Sequence, residues 1–385
     1  MYLPEFVGSL DHPTKIWDHA FRHQISEAAR HLLLVLSTLP DDPLLDDVET
    51  AFWAFYRFRQ SRFGFPTRNS DWNDALKELD GNFIHTRKVG KAFLVSFHNP
   101  SIRDFVEDFL SASESDVADL ISGAHFYEQY AVLWKGRGDQ RYGGIDRNQE
   151  KFLGALQRNI FGPSARTIRV VNMQGDPIGV NHQPPSNESR AEFALRVAND
   201  LNSVDANQVA TELINALRQL WEKGHADKED LVSLLAALTQ RGMSRSDDSF
   251  KSAKTCLSAK YETIDDFRAI AEFAKTYTGE IGAADLDGVK TQFMQFANAY
   301  SSGWDDEEDP DWLRQVAANL EFVGERLQVD VTEFTDPLYQ GADDVEKARA
   351  DREPDGDDRD DQDFRSSYAD DVDAMFLSLR DELSG

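Results

Sequence analysis

The chain has 385 residues, 41% of them hydrophobic and 11% aromatic, enough material for two or three cores. Its formal net charge is −28, a field that repels nucleic-acid phosphate, whose binding is driven by Lys and Arg. A single cysteine, Cys256, excludes an internal disulfide and a cysteine-rich zinc module, and no run of about eighteen apolar residues marks a membrane span.

The first residues, Met1-Tyr2-Leu3-Pro4-Glu5, form neither a basic nor an apolar leader, so a cytoplasmic location is expected. Thr14 precedes a short helix carrying Ile16, Trp17, Ala20 and Phe21. Ser26 caps a stronger one, with Leu32, Leu33, Val35, Leu36 and Leu39 following, and Pro40 ends it. Val48, Phe52, Phe55 and Tyr56 line one face of a third helix from about Leu45. Ser70 starts a fourth, with Trp72, Leu76 and Leu79 inward and Gly81 just past its end. The period then changes to alternation. Residues 82–86 and 92–97 read as strands joined by a charged turn, Arg87-Lys88-Val89-Gly90-Lys91. Pro100 opens another helix through Ile102, Phe105, Val106 and Phe109. Several helices followed by a hairpin is the order of a winged helix, so residues 1–110 are expected to form a winged-helix-like domain.

A further helix is expected over about Ser115 to Leu133, and residues 111–144 are read as connecting helix and glycine-rich linker. Arg166–Val171 and Ile178–Asn181 predict a second small hairpin. From about Asn187 to Val331 the pattern is almost continuously helical, so residues 145–340 are assigned to a helical array. Residues 341–369 form an acidic, low-complexity linker expected to be disordered. Gly341–Gly385 holds 16 acids against 6 bases, and so carries −10 of the −28. Residues 370–385 read as a terminal amphipathic helix, with Val372, Met375, Phe376 and Leu379 on one stripe suited to a partner's groove. The fold class expected is mainly α: a winged-helix-like domain, a helical array with a small β-hairpin, and a disordered acidic tail.

No catalytic motif is present. The sequence has no Gly-x-x-x-x-Gly-Lys-Ser/Thr loop, no Gly-x-Ser-x-Gly elbow and no His-Glu-x-x-His helix, so no enzymatic activity is expected of this chain. Cys256 reads as a small buried hydrophobe. His19, His23 and Glu27 would share a face of one helix, but Ser26 interrupts it, and no metal site is assigned. The helix equivalent to a DNA-recognition helix carries Asp71, Asp74 and Glu78 against Lys77 alone, the wrong chemistry for a phosphate-lined groove. Arg87, Lys88 and Lys91 nevertheless make a basic wing. A winged-helix nucleic-acid binder is therefore the alternative reading, although the acidity disfavours nucleic acid as a partner.

The most specific stretch is Phe97-His98-Asn99-Pro100-Ser101-Ile102-Arg103-Asp104-Phe105, where a strand runs into a helix with a histidine at the junction. With residues 16–21, 32–40 and 75–84 it resembles the winged-helix segment that follows the ATPase core in STAND-type NTPases, particularly a bacterial subfamily associated with antiphage defence. The resemblance covers about residues 10–135. It implies a regulatory and sensor portion of a nucleotide switch whose ATPase core is absent from this sequence. By the same resemblance His98 and Asn99 occupy the nucleotide-sensing signature, Asn99 standing where that signature has aspartate, and Arg103 and Asp104 begin the switch helix. It implies no cofactor on this chain, with ATP or ADP met only through a P-loop ATPase module, an effector domain as further partner, and a viral or cellular protein as trigger.

Overall fold

The computed structural model describes residues 13–138, 141–166, 170–171, 177–179, 184–201, 204–302 and 309–352. The chain divides into two compact units, residues 1–273 and 274–385. The division falls inside the stretch that the sequence assigns to a single helical array.

In the first unit, α1 (Pro13–His23), α2 (Glu27–Leu36), α3 (Leu45–Phe63) and α4 (Asp71–Leu79) precede an antiparallel hairpin of β1 (Ile84–Val89) and β2 (Ala92–Phe97). Ser26 caps α2 by accepting from the Ala29 amide at 3.1 Å. All but two residues of α2 are buried, because α3 and α4 flank it. Leu32, Leu33, Val35 and Leu36 each contribute about 2 kcal/mol by leaving water. The aromatic stripe of α3 stacks in turn: Phe52 lies against Tyr56 with centroids 4.9 Å apart and against Trp72 at 5.4 Å.

The basic wing is a strand end rather than a loop. Arg87, Lys88 and Val89 belong to β1, and the turn is only Gly90-Lys91, with Gly90 at φ +58°. Val89 stays in the strand because it buries with Leu94 and Leu44 in a small cluster of their own. Leu44 bridges to Leu94, and the Val95 amide donates to Pro43 O at 3.0 Å, so the segment before α3 lies along the hairpin.

Beyond the hairpin come α5 (Pro100–Ala112), α6 (Glu114–Gly123), α7 (Tyr127–Gly138), a single 3-10 turn at Gly143–Ile145 and α8 (Gln149–Asn159). The one helix expected over 115–133 is two. Ala124 is extended, and the Tyr127 amide is drawn to Pro163 O at 3.0 Å. The described residues of 135–144 form no open linker either. Gly136 lets the buried Tyr142 ring sit where a Cβ would lie 2.2 Å from it, and the Tyr142 hydroxyl donates to Ser37 O at 3.0 Å. The second small hairpin is present as β3 (Val170–Val171) paired with β4 (Pro177–Gly179). Then α9 (Asn187–Leu201), α10 (Val204–Trp221), α11 (Lys228–Gln240), α12 (Asp248–Leu257) and α13 (Ile264–Thr276) follow, with α10 packing on both α8 and α12.

In the second unit are α14 (Ala283–Tyr300), α15 (Pro310–Leu327) and α16 (Thr332–Arg352). Leu313, Val316, Leu320 and Val323 of α15 bury, as do Leu338, Ala342 and Val345 of α16, which packs against it. Residues 341–352, expected as disordered acidic linker, are therefore helix. Ala342 and Val345 are core, and Asp343 and Glu346 pair with Arg314 at 3.1 and 2.6 Å. The remaining linker and the terminal stripe Val372, Met375, Phe376 and Leu379 lie outside the described residues. The fold is thus mainly α with a small β-hairpin, and among the described residues no helix is long and apolar enough to cross a membrane.

Candidate functional site

The strand-to-helix junction is built by three local devices. The His98 amide donates to Phe83 O at 2.9 Å, which carries the hairpin pairing one residue past β2. Asn99 is extended, at φ −144° and ψ 138°, and its Oδ1 accepts from the Ser101 amide at 2.9 Å. Pro100 occupies the first turn of α5, where its missing N–H costs nothing. Asn99, not His98, is therefore the cap of α5. The His98 side chain is left exposed at the turn, its ring 6.3 Å from the exposed ring of His85 on the neighbouring strand.

Behind the junction α1 acts as a buttress. Trp17 donates from Nε1 to Ser101 Oγ at 3.1 Å and packs on Phe83 with centroids 5.4 Å apart. Phe21 meets Phe105 and Phe109 at 5.5 and 4.9 Å.

Arg103 and Asp104 stand one turn into α5 and behave differently. Asp104 is exposed. Arg103 donates to Asp41 and, from Nε, to Glu107 Oε1 at 3.1 Å. Burial opposes its charge, but the carboxylates of Asp41 and Glu107 outweigh that and raise its pKa above the usual arginine value. Glu107, itself buried, also accepts from Arg141 at 2.9 Å, so one carboxylate ties α5 to the segment after α7. Next to Asp41, Asp42 pairs with Arg87 at 3.5 Å. Asp42 takes φ +50°, a left-handed conformation that short polar residues tolerate best. The turn Pro40–Pro43 thus links the wing to α5. A cleft of about 270 Å³ opens there, walled by Leu36, Leu39, Val95 and Pro100, with Asp41 and Arg103 at its polar end.

Of the basic wing, Arg87 is committed to Asp42, while Lys88 and Lys91 are exposed. The rings of His19 and His23 lie 5.2 Å apart, but Glu27 belongs to α2 and lies 3.9 Å from His31 instead. Among the described residues no three metal-binding side chains gather. Cys256 is buried, and burial raises its thiol pKa.

Sequence reasoning missed Glu107 and its bridge to Arg141. The Arg103–Glu107 spacing on one helix was a readable signal, whereas Arg141 is reached only through the tertiary fold. It also missed two buried carboxylates. Asp119 accepts from Arg59 at 3.0 Å and from Arg62, and Asp47 accepts from the Arg166 side chain at 2.7 and 2.9 Å. Comparison with family models, with curated proteins and with solved structures finds no match to this chain.

Proposed function

We propose that this chain is the non-catalytic regulatory portion of a STAND-type NTPase switch in bacterial antiviral defence. In this reading the winged-helix-like part docks on a P-loop ATPase module and presents His98 to the phosphates of its bound nucleotide. The helical array receives a protein trigger and relays that binding to the ATPase or effector module. The supporting observation is the exposed His98 ring at a junction held rigid by the Phe83 backbone bond and the Asn99 cap. An imidazole can donate to a phosphate oxygen, and a fixed backbone reduces the ordering cost of doing so. A ligand on the array shifts such a switch only by its different affinity for the two states.

Affinity capture of the full chain from a bacterial host lysate, with ADP present or removed and before or after phage infection, tests the reading. The expected result is retention of a P-loop ATPase in ADP, weakened by His98→Ala. Retention of DNA instead, released by moderate salt and lost in Lys88→Ala/Lys91→Ala, would overturn it in favour of a nucleic-acid binder.

A further inference from the structure

We infer that the cavity between α9, α10, α11 and the start of α12 is a binding site for a small organic anion with an apolar body. The cavity measures about 430 Å³, within the usual range for small-molecule sites. One stripe of α10 faces it: Asn207, Thr211, Ile214 and Arg218 recur every three or four residues. Buried Leu195, Ala210 and Leu238 complete an apolar wall.

The charge balance selects the ligand. Arg241 donates to Leu195 O at 3.3 Å and to the side-chain oxygens of Asn199 and Asn207. All three acceptors are neutral, and no carboxylate among the described residues forms an ion pair with it. Its guanidinium, partly open to solvent, is thus oriented without an ion pair among the described residues. Arg218 lines the same cavity, and its Nε is closed off from solvent without a hydrogen-bond acceptor, Glu222 Oε1 standing 3.6 Å away. The two carboxylates of the lining are exposed to solvent, and each has a partner of its own. Asp247 accepts from the Ser249 amide at 2.8 Å, and Asp248 faces Lys251 at 3.3 Å. In a chain of net charge −28, Arg241 with neutral acceptors only, and Arg218 with Glu222 too distant for a hydrogen bond, stand beside an apolar wall and favour an anionic head on an apolar body. The Asn215 amide and the Thr211 hydroxyl, which donates to Asn207 O at 2.8 Å and keeps its acceptor side, add direction. No residue of the hairpin junction takes part, so the inference stands apart from the switch reading.

Calorimetric titration of the full chain with benzoate and with phenyl phosphate, against benzyl alcohol as the neutral control, tests it. At least one anion is expected to bind about tenfold or more tightly than benzyl alcohol, and the stronger of the two identifies carboxylate or phosphate as the preferred head. Arg241→Gln is expected to weaken that anion by about tenfold. Because Arg241 also ties three helices together, Arg218→Gln, whose side chain is about a third exposed, serves as the second variant, with a similar loss at unchanged melting temperature. Loss in either folded variant supports the site. No heat with either anion up to about 20 mM, equal affinity for benzyl alcohol, or anion binding that survives both substitutions would overturn it.

Discussion

The helices around α2–α6 and those of the α9–α12 array handle buried charge in opposite ways. In the first region each buried carboxylate meets arginine. Asp119 is held by Arg59 and Arg62, and Glu107 by Arg103 and Arg141. In the array the two buried charged residues, Arg190 and Glu188, make their hydrogen bonds with neutral groups. Arg190 donates to Ile160 O and Gly162 O at 2.8 Å and to Ser164 Oγ at 2.5 Å, and burial lowers its pKa. Glu188 accepts from Trp221 Nε1 at 2.8 Å and has its pKa raised by burial. Ion pairs fix a geometry and leave nothing over for a ligand. Charges held by dipoles are oriented yet uncompensated, which is the state a binding site needs. The first region is thus suited to a fixed platform and the second to recognition.

The sharpest way to break this comparison is to neutralise one carboxylate in each region. Asp119→Asn removes the shared partner of two arginines at a side chain that is 1% exposed. It is expected to cost about 3 kcal/mol in urea unfolding, because it strands charge rather than a single hydrogen bond. Glu188→Gln keeps an oxygen for Trp221 and removes a charge that burial already disfavours. It is expected to cost about 1 kcal/mol or less. Equal losses would show that the array relies on its buried charge as much as the platform does.

Acid titration sharpens the contrast. His31 is buried among Phe55, Tyr56 and Phe65, and its pKa is pushed down from 6.5 to about 3, first by burial and then by Arg59. Between those values the unfolded chain binds a proton that the folded chain refuses. This contribution is complete above pH 6.5 and is lost as pH falls towards 3, by about 1.4 kcal/mol per pH unit. Glu188 acts with the opposite sign. Its folded pKa is raised, so its contribution is complete below the carboxylate's ordinary 4.5 and is lost as pH rises through the folded value. Comparing urea midpoints at pH 6 and 5, His31→Leu is expected to be about 1 kcal/mol less acid-sensitive than the wild type. An unchanged acid slope in that variant would place the acid sensitivity elsewhere.

The helices of the first region were legible because their signals are local. Ser26, the apolar run of α2, the aromatic stripe of α3 and Pro100 each act within a turn or two of themselves. What was not legible depends on distant partners. Val89 stays in β1 because of Leu44 and Leu94, the helix at 115–133 breaks where Pro163 O captures the Tyr127 amide, and acidic 341–352 folds because Arg314 and the α15 core meet it. At the candidate site the residue types around His98 were readable, including the mark left by a strand running into a helix. The Asp41–Arg103 and Asp42–Arg87 links were not, since the partners lie 62 and 45 residues apart. The cavity of the array was invisible for the same reason: Arg218 of α10 and Arg241, just past α11, meet only through the tertiary fold.

The smallest expected effect falls at the strand-to-helix junction. Asn99 caps α5 through one hydrogen bond to the Ser101 amide at 2.9 Å, on an exposed turn. Asn99→Ala should remove that bond and cost about 1 kcal/mol, the usual loss for an N-cap. Asn99→Asp keeps an acceptor in the same place and adds negative charge at a helix N-terminus, so it should be neutral or stabilising by about 0.5 kcal/mol. That gain should shrink as salt is raised, because the charge is exposed and the interaction is screened. Urea melts of the three proteins at low and high ionic strength read all of this. If Asn99→Asp were as damaging as Asn99→Ala, the side-chain amide would be serving a purpose that capping does not explain, and the adjacent His98 and His85 rings would be the first place to look for it.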